Sequence, residues 1–317
     1  MTLPNFLIIG AAKGGTTTIF NVLKQHPEVY LHPIKEVGFF WAYGQEVIIQ
    51  GPGADLLKHR IVNNLDQYQA LFSHANRKAV GEATVRYLSD PRSPGLIHQF
   101  IPEAKLIVSL RQPADRAFSA FVRNLRDGLE TIHDFASAVD AERQGLRSGW
   151  VFGGYLEKGF YSKLISRYLE YFDRSQLNVS LIEDLRDDPQ NLMHGIFQFL
   201  DIDAAFQGDL THRYNVSGVI RNPLLRLIWT RSNQLKSIIR PLMPARLRQK
   251  ASEWMIRDLE KPQFPPEIRA ELTEYYRQDI EQLQDLLGRD LSHWLQPEIP
   301  AQTFEMEEPQ ELNWGEQ

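Results

Sequence analysis

The stretch Phe6-Leu7-Ile8-Ile9-Gly10-Ala11-Ala12-Lys13-Gly14-Gly15-Thr16-Thr17-Thr18 decides the fold. Its first four residues form an apolar β-type run. Its middle is glycine-rich. From Thr16 onward Ile19, Phe20 and Leu23 recur at helical spacing, and His26-Pro27 stops the helix. A glycine turn between strand and helix brings successive backbone N–H groups close together, and the helix start adds unsatisfied N–H groups and the positive end of its dipole. Such a segment is suited to an anion of the phosphate type. Lys13 adds a mobile positive charge, while the hydroxyls of Thr16, Thr17 and Thr18 add donors and helix caps. It is not a Walker A loop. Gly10 and Gly15 have the right separation, but Thr16 stands where that motif needs lysine, and the lysine has moved back to position 13.

Three further β-type runs follow, Ala79–Ala83, Lys105–Leu110 and Leu177–Ile182, separated by segments with helical periodicity. This alternation predicts an α/β fold: a P-loop-like central parallel sheet flanked by helices. Pro113 stands where a helix begins after the third run, and Tyr161–Phe172 carries Leu164, Ile165, Tyr168, Leu169 and Phe172 on one face. The C-terminal third lacks strand signals and reads as a helical extension from about residue 220. Its long elements are Leu224–Ile239 and Ile268–Leu287, the latter closed by Gly288. No repeat or low-complexity linker interrupts the chain. The expectation is a single domain over residues 1–296, then an acidic, loosely packed tail over 297–317 that carries Glu305, Glu307, Glu308 and Glu311.

The 317 residues suffice for a full core, and 43% hydrophobic with 24% charged residues excludes a disordered or fibrous chain. With 35 basic against 40 acidic side chains the net charge is −5, which argues against general nucleic-acid binding. There is no cysteine, so disulfides, thiolate metal sites and cysteine nucleophiles are excluded. No clustered carboxylate or histidine spacing announces a metal site. Glu183-Asp184, the nearest candidate, reads as a helix cap. No run approaches the ~20 apolar residues of a membrane span, and the expected location is the cytoplasm.

Two more segments carry chemistry. In Leu106-Ile107-Val108-Ser109-Leu110-Arg111-Gln112-Pro113-Ala114-Asp115-Arg116-Ala117-Phe118-Ser119, a strand ends in arginine and a proline-started helix presents a serine two turns in. Ligands of open α/β sheets bind at the carboxyl ends of strands, so Arg111 and Ser119 are candidates for a second anionic group. The alternative is that Arg111 pairs with Asp115 and Ser119 only packs. The third segment is Asn215-Val216-Ser217-Gly218-Val219-Ile220-Arg221.

Lys13–Thr17, Arg111…Ser119 and Ser217–Arg221 recur in one order, and over roughly residues 5 to 225 the chain resembles sulfotransferases that use 3′-phosphoadenosine 5′-phosphosulfate (PAPS). In motif detail it is most similar to the heparan sulfate 3-O- and N-sulfotransferases and their soluble bacterial relatives. The resemblance implies that Lys13, Gly14, Gly15, Thr16, Thr17 and Thr18 cradle the 5′-phosphosulfate and that Arg111 and Ser119 hold the 3′-phosphate. Ser217, Gly218 and Arg221 would close over the nucleotide, and Tyr161, after Lys158-Gly159-Phe160, falls in a family-like segment.

Glu36, in Glu36-Val37-Gly38-Phe39-Phe40, matches the family's catalytic base. A carboxylate that takes the acceptor's proton fits in-line sulfuryl transfer, and Phe39 and Phe40 are expected to desolvate it. Its alternatives are an exposed carboxylate paired with Lys35, and His32 as the base. Two departures fall on the acceptor side. Gly38 replaces a histidine, and Ala83 in Glu82-Ala83-Thr84-Val85-Arg86-Tyr87 replaces a lysine, with Arg86 nearby. The resemblance implies a hydroxyl- or amine-bearing acceptor: a carbohydrate, glycolipid, carrier-bound acyl chain or small alcohol. Arg123, Arg126, Arg143 and Arg147 are candidates for a basic groove. A P-loop-like kinase or NTPase, and a non-catalytic nucleotide-binding scaffold, are the other readings.

Overall fold

The computed structural model describes residues 3–58, 60–210, 218–220, 259–260 and 262–296. The expected helix Leu224–Ile239, the site candidates Ser217 and Arg221 and the acidic tail 297–317 lie outside them.

Five strands form one parallel sheet: β1 (Phe6–Gly10), β2 (Val29–Leu31), β3 (Ala79–Ala83), β4 (Lys105–Leu110) and β5 (Leu177–Leu181), in the order β2-β3-β1-β4-β5. The expected strands are all present. β2 was not among them, because three residues before a proline-bearing loop carry too little pattern to read as a strand. β1 is central, and all five of its residues are buried, as a parallel strand covered on both faces requires.

Side-chain alternation along β1 builds two cores. Phe6 and Ile8 face one layer with α1 (Thr16–Gln25), while Leu7 and Ile9 face the other. Short helices α2 (Phe39–Ala42), α3 (Ala54–Lys58) and α4 (Leu65–Ala70) follow β2, and α5 (Ser93–Phe100) follows β3. After β4 come α6 (Pro113–Asp127), α7 (Phe135–Arg143) and α8 (Tyr161–Leu169), which ends three residues before the expected Phe172. β5 leads into α9 (Ile182–Asp187) and α10 (Pro189–Phe199), and the last long helix is α11 (Pro266–Leu287). Gly288 closes α11 in the left-handed conformation (φ 61°). A two-strand antiparallel ladder pairs Val219 with Glu260.

α11 is bolted to the elements that form the strand ends. Arg269 pairs with Asp115 at 2.9 Å, Gln112 donates to Thr273 Oγ1 at 3.1 Å, and Tyr276 donates to the Leu156 carbonyl at 2.8 Å. Asp279 accepts from the Ser162 N–H at 3.1 Å and from its hydroxyl. Asp115 therefore belongs to Arg269 rather than to Arg111.

On β3, the fully buried Glu82 accepts from three hydroxyls: Tyr87 at 2.7 Å, Thr84 at 2.7 Å and Tyr68 at 3.1 Å. Burial pushes this carboxyl up to about 7 from 4.5, against the pull of its three donors. A carboxyl whose folded value is raised stabilises the fold fully below its unfolded value and loses that contribution as pH rises through the folded one. Glu82→Gln is expected to remove this slope, so the variant gains on the wild type in urea unfolding between about pH 5 and about pH 8. Equal differences at both pH values would show that Glu82 holds no proton in the folded state.

Candidate functional site

The glycine loop is laid directly on β4. Ala11 N–H donates to the Ser109 carbonyl at 2.9 Å, and Ser109 Oγ donates back to the Gly14 carbonyl at 2.5 Å. A Cβ at Gly14 would stand 2.0 Å from the Ser109 carbonyl oxygen, so no other residue fits there. Gly15 takes φ 92° and starts α1, with no side-chain cap and no acidic residue in the first turn. The N–H groups of the helix start are left to an incoming anion. Lys13, at φ 73°, is partly buried, and its ammonium is pushed down to about 8 by burial and by Arg123, Arg126 and Arg111.

At the end of β4, Arg111 is partly buried and its backbone carbonyl accepts from the Tyr161 hydroxyl at 2.9 Å. Tyr161 is thus a buried strut for the strand end. Gln112 caps α6 by accepting from the Asp115 N–H at 2.7 Å. Two turns on, Ser119 is 7% exposed and its hydroxyl has no hydrogen-bond partner among the described residues. A buried hydroxyl left without a partner is costly, and a ligand oxygen would satisfy it.

Glu36 stands beyond β2 at φ 63°, its N–H on the Ala83 carbonyl at 2.8 Å. Its carboxylate accepts from the Val85 N–H at 3.3 Å. Burial raises it above the usual glutamate value, opposed by that N–H and by Lys35, Arg86 and Arg123. Lys35 does not cap it: its ammonium donates to Thr17 Oγ1 at 3.2 Å and sits over the Phe20 ring. That contact joins the Glu36 segment to the loop. His32 is 7% exposed, its Nδ1 3.1 Å from the Ile34 carbonyl, as a turn residue. Phe39 and Phe40 are fully buried against Tyr68, and Phe40 packs on Tyr87 as well, so they are core residues. Gly38, at φ 68°, opens α2 in a conformation that a histidine would strain.

A sulfotransferase domain model matches residues 3–286. The chain belongs to the sulfotransferase domain family. It is 23% identical over 291 residues to the membrane-associated sulfotransferase kil1 of Dictyostelium discoideum, covering 67% of this chain and 59% of that protein. Carbohydrate sulfotransferase 15 of Rattus norvegicus is 28% identical over 248 residues, covering 63% and 44%. The bifunctional heparan sulfate N-deacetylase/N-sulfotransferase 2 of Mus musculus is 30% identical over 226 residues, covering 67% and 24%. The chain thus spans between about a quarter and three-fifths of these relatives. A sulfotransferase structure from Alicyclobacillus acidocaldarius superposes with a TM-score of 0.73 at 29% identity, covering 93% of this chain and 100% of that one.

Within this sulfotransferase domain Glu36 follows β2, Lys13–Thr18 follow β1 and Arg111 follows β4, so the parallel sheet brings them to its carboxyl end, with Ser119 two turns into α6. Gly218 is buried beside the small ladder. Glu183-Asp184 behaves as a cap: Asp184 accepts from the Leu181 N–H at 2.8 Å. Among the described residues no three His, Asp or Glu side chains converge as metal ligands, and no helix is long and apolar enough to cross a membrane. Two of the four candidates for a basic groove are held in ion pairs: Arg147 is buried against Glu130 at 2.5 Å, and Arg143 pairs with Glu271 at 2.6 Å. Sequence reasoning passed over Arg116 and Lys158. The signal for Arg116 was its spacing, one turn before Ser119 on the same helix face. Lys158, three residues before Tyr161, carries no such signal. NMR titration of ε-¹³C-lysine should find Lys13 near 8 and Lys158 near 7, far below surface lysines. Both titrating with the surface lysines would contradict the buried cluster.

Proposed function

We propose that the chain is an enzyme that moves the sulfuryl group of PAPS onto a hydroxyl or amine acceptor. The observation that carries the reading is an uncapped helix start after β1 beside Arg111 and the unpartnered Ser119 hydroxyl after the neighbouring β4, two separate sets suited to anions. A nucleotide bearing phosphate at both its 3′ and 5′ positions uses both sets, whereas a triphosphate chain needs one. Position 16, threonine rather than lysine, also tells against the kinase reading. PAPS supplies an activated sulfuryl group, and its transfer releases the 3′,5′-bisphosphate.

Around that chemistry each residue has a task. The loop N–H groups and Lys13 hold the 5′ end and stabilise negative charge on the leaving oxygen. Arg111 and Ser119 hold the 3′-phosphate by charge-assisted bonds. Tyr161 braces the Arg111 backbone. Glu36, raised by burial, takes the proton from the acceptor. Lys35 ties the base-bearing segment to Thr17 and so sets its distance from the loop. No task in this scheme falls to a metal. The names of the relatives, carbohydrate and heparan sulfate sulfotransferases, favour a carbohydrate acceptor.

Calorimetry without metal tests the donor assignment. Arg111→Ala should weaken 3′-phosphoadenosine 5′-phosphate binding by about 1.5–3 kcal/mol and leave the much weaker AMP binding unchanged. Equal bisphosphate affinity in the variant would sink the assignment. Glu36→Gln should cut turnover by roughly a hundredfold or more at unchanged bisphosphate affinity. In the wild type the acid limb of the rate should lie above the ordinary glutamate range, since the active form is the carboxylate and its value is raised.

A further inference from the structure

Next to the loop lies a cavity of about 60 Å³ whose lining is unusual in charge. Lys13 contributes from the loop, Arg116, Arg123 and Asn124 from one face of α6, and Lys158 from the segment before α8. Four of these five are cations, and no carboxylate lines the space. Neither Arg111 nor Ser119 lines it.

The cations are only partly satisfied from within. Arg116 is 1% exposed; one guanidinium nitrogen donates to the Tyr155 carbonyl, while Nε and Nη1 have no partner. Arg123 pairs with Asp127 at 3.1 Å and stacks over Phe152. Among the described residues no side chain ion-pairs with Lys158; Glu142 and Glu157 act on it only at longer range, and Glu142 accepts from the N–H groups of Tyr155 and Leu156. The Asn124 amide is spent on the Phe152 carbonyl and the Tyr155 hydroxyl. Gathering like charges with unfilled donors around a half-buried space is unfavourable unless an anion enters it. The volume matches about two waters, or one tetrahedral oxyanion.

We propose that this cavity is a third anion subsite that takes one sulfate-type oxyanion, held by Arg116, Lys158 and Arg123 with Lys13 shared with the loop. Two sources present that chemistry. One is the sulfuryl group of the donor, for which these side chains position the oxygens that do not bridge. The other is an acidic substituent on the acceptor, which would make the acceptor an anion. The choice between them rests on the donor reading above; the existence of the subsite does not.

Inorganic sulfate, titrated calorimetrically at constant ionic strength, is the probe. The free protein, its complex with 3′-phosphoadenosine 5′-phosphate and its complex with PAPS are compared for the wild type, Lys158→Met and Lys158→Arg. One sulfate is expected to bind the wild-type bisphosphate complex, about tenfold or more weakly in Lys158→Met and near normally in Lys158→Arg, with bisphosphate affinity unchanged. If PAPS excludes sulfate, the subsite holds the donor's sulfuryl group; if sulfate binds equally beside PAPS, it holds an acidic group of the acceptor. No saturable sulfate binding, or equal binding in Lys158→Met, would overturn the subsite, whereas failure of the bisphosphate to bind would overturn the donor reading and leave the free-protein titration to decide the cavity.

Discussion

The contact between Gly14 and the Ser109 backbone is the constraint on which the site depends. It leaves no room for a Cβ, and two hydrogen bonds between loop and strand fix it from both sides. Because the loop is clamped to β4, the start of α1 cannot drift from Arg111, two residues beyond Ser109 and the first residue past the strand's end. The distance between the loop and Arg111 is thus set by the pairing of β1 with β4. The same clamp turns Lys13 into the left-handed region and toward α6, where it meets a field of arginines.

A sheet that gathers cations at one end must be braced from behind, since mutual repulsion works against the compact state. α11 supplies the brace. Its Arg269 neutralises Asp115 in the first turn of α6, and its Asp279 receives the start of α8. α6 lines the cavity and α8 follows directly on the segment that carries Lys158, so the C-terminal helix holds both in place without lining the cavity itself. Glu82 does the corresponding work on the far side of β1. Three hydroxyl donors hold it in the core, where it orders the turn between β3 and Arg86 without adding an exposed charge.

Local pattern made the central fold readable. A strand, a glycine turn and a helix in thirteen residues specify their own arrangement, and Arg111-x-Pro113 announces a strand end and a helix start within three. What stayed hidden depends on pairs distant in sequence. Asp115 finds Arg269 154 residues later, and Lys35 prefers Thr17, 18 residues back, to its neighbour Glu36. Neither choice is set by propensity; each follows from which side chains the strand order brings together. Phe39 and Phe40 show the same limit. Read beside Glu36 they are its desolvating shell, yet the left-handed Gly38 turns them into the core against Tyr68.

Gly38 and Ala83, the two departures from the family pattern, leave no side-chain charge where they stand. Ala83 is fully buried at the end of β3, so nothing there projects a charge. Arg86 does not simply replace the lysine that similar enzymes carry: its guanidinium donates to the Val151 carbonyl at 2.8 Å and rests on the Trp41 ring at 4.6 Å. It acts electrostatically on both Glu36 and Lys158, restraining the upward shift of the carboxyl and lowering the ammonium. The positive charge around the cavity therefore comes from the loop, α6 and the segment before α8, rather than from β3. Charge carried on a helix face rather than at a strand end leaves the clamp between the loop and β4 untouched, because that clamp uses only backbone groups and the Ser109 hydroxyl.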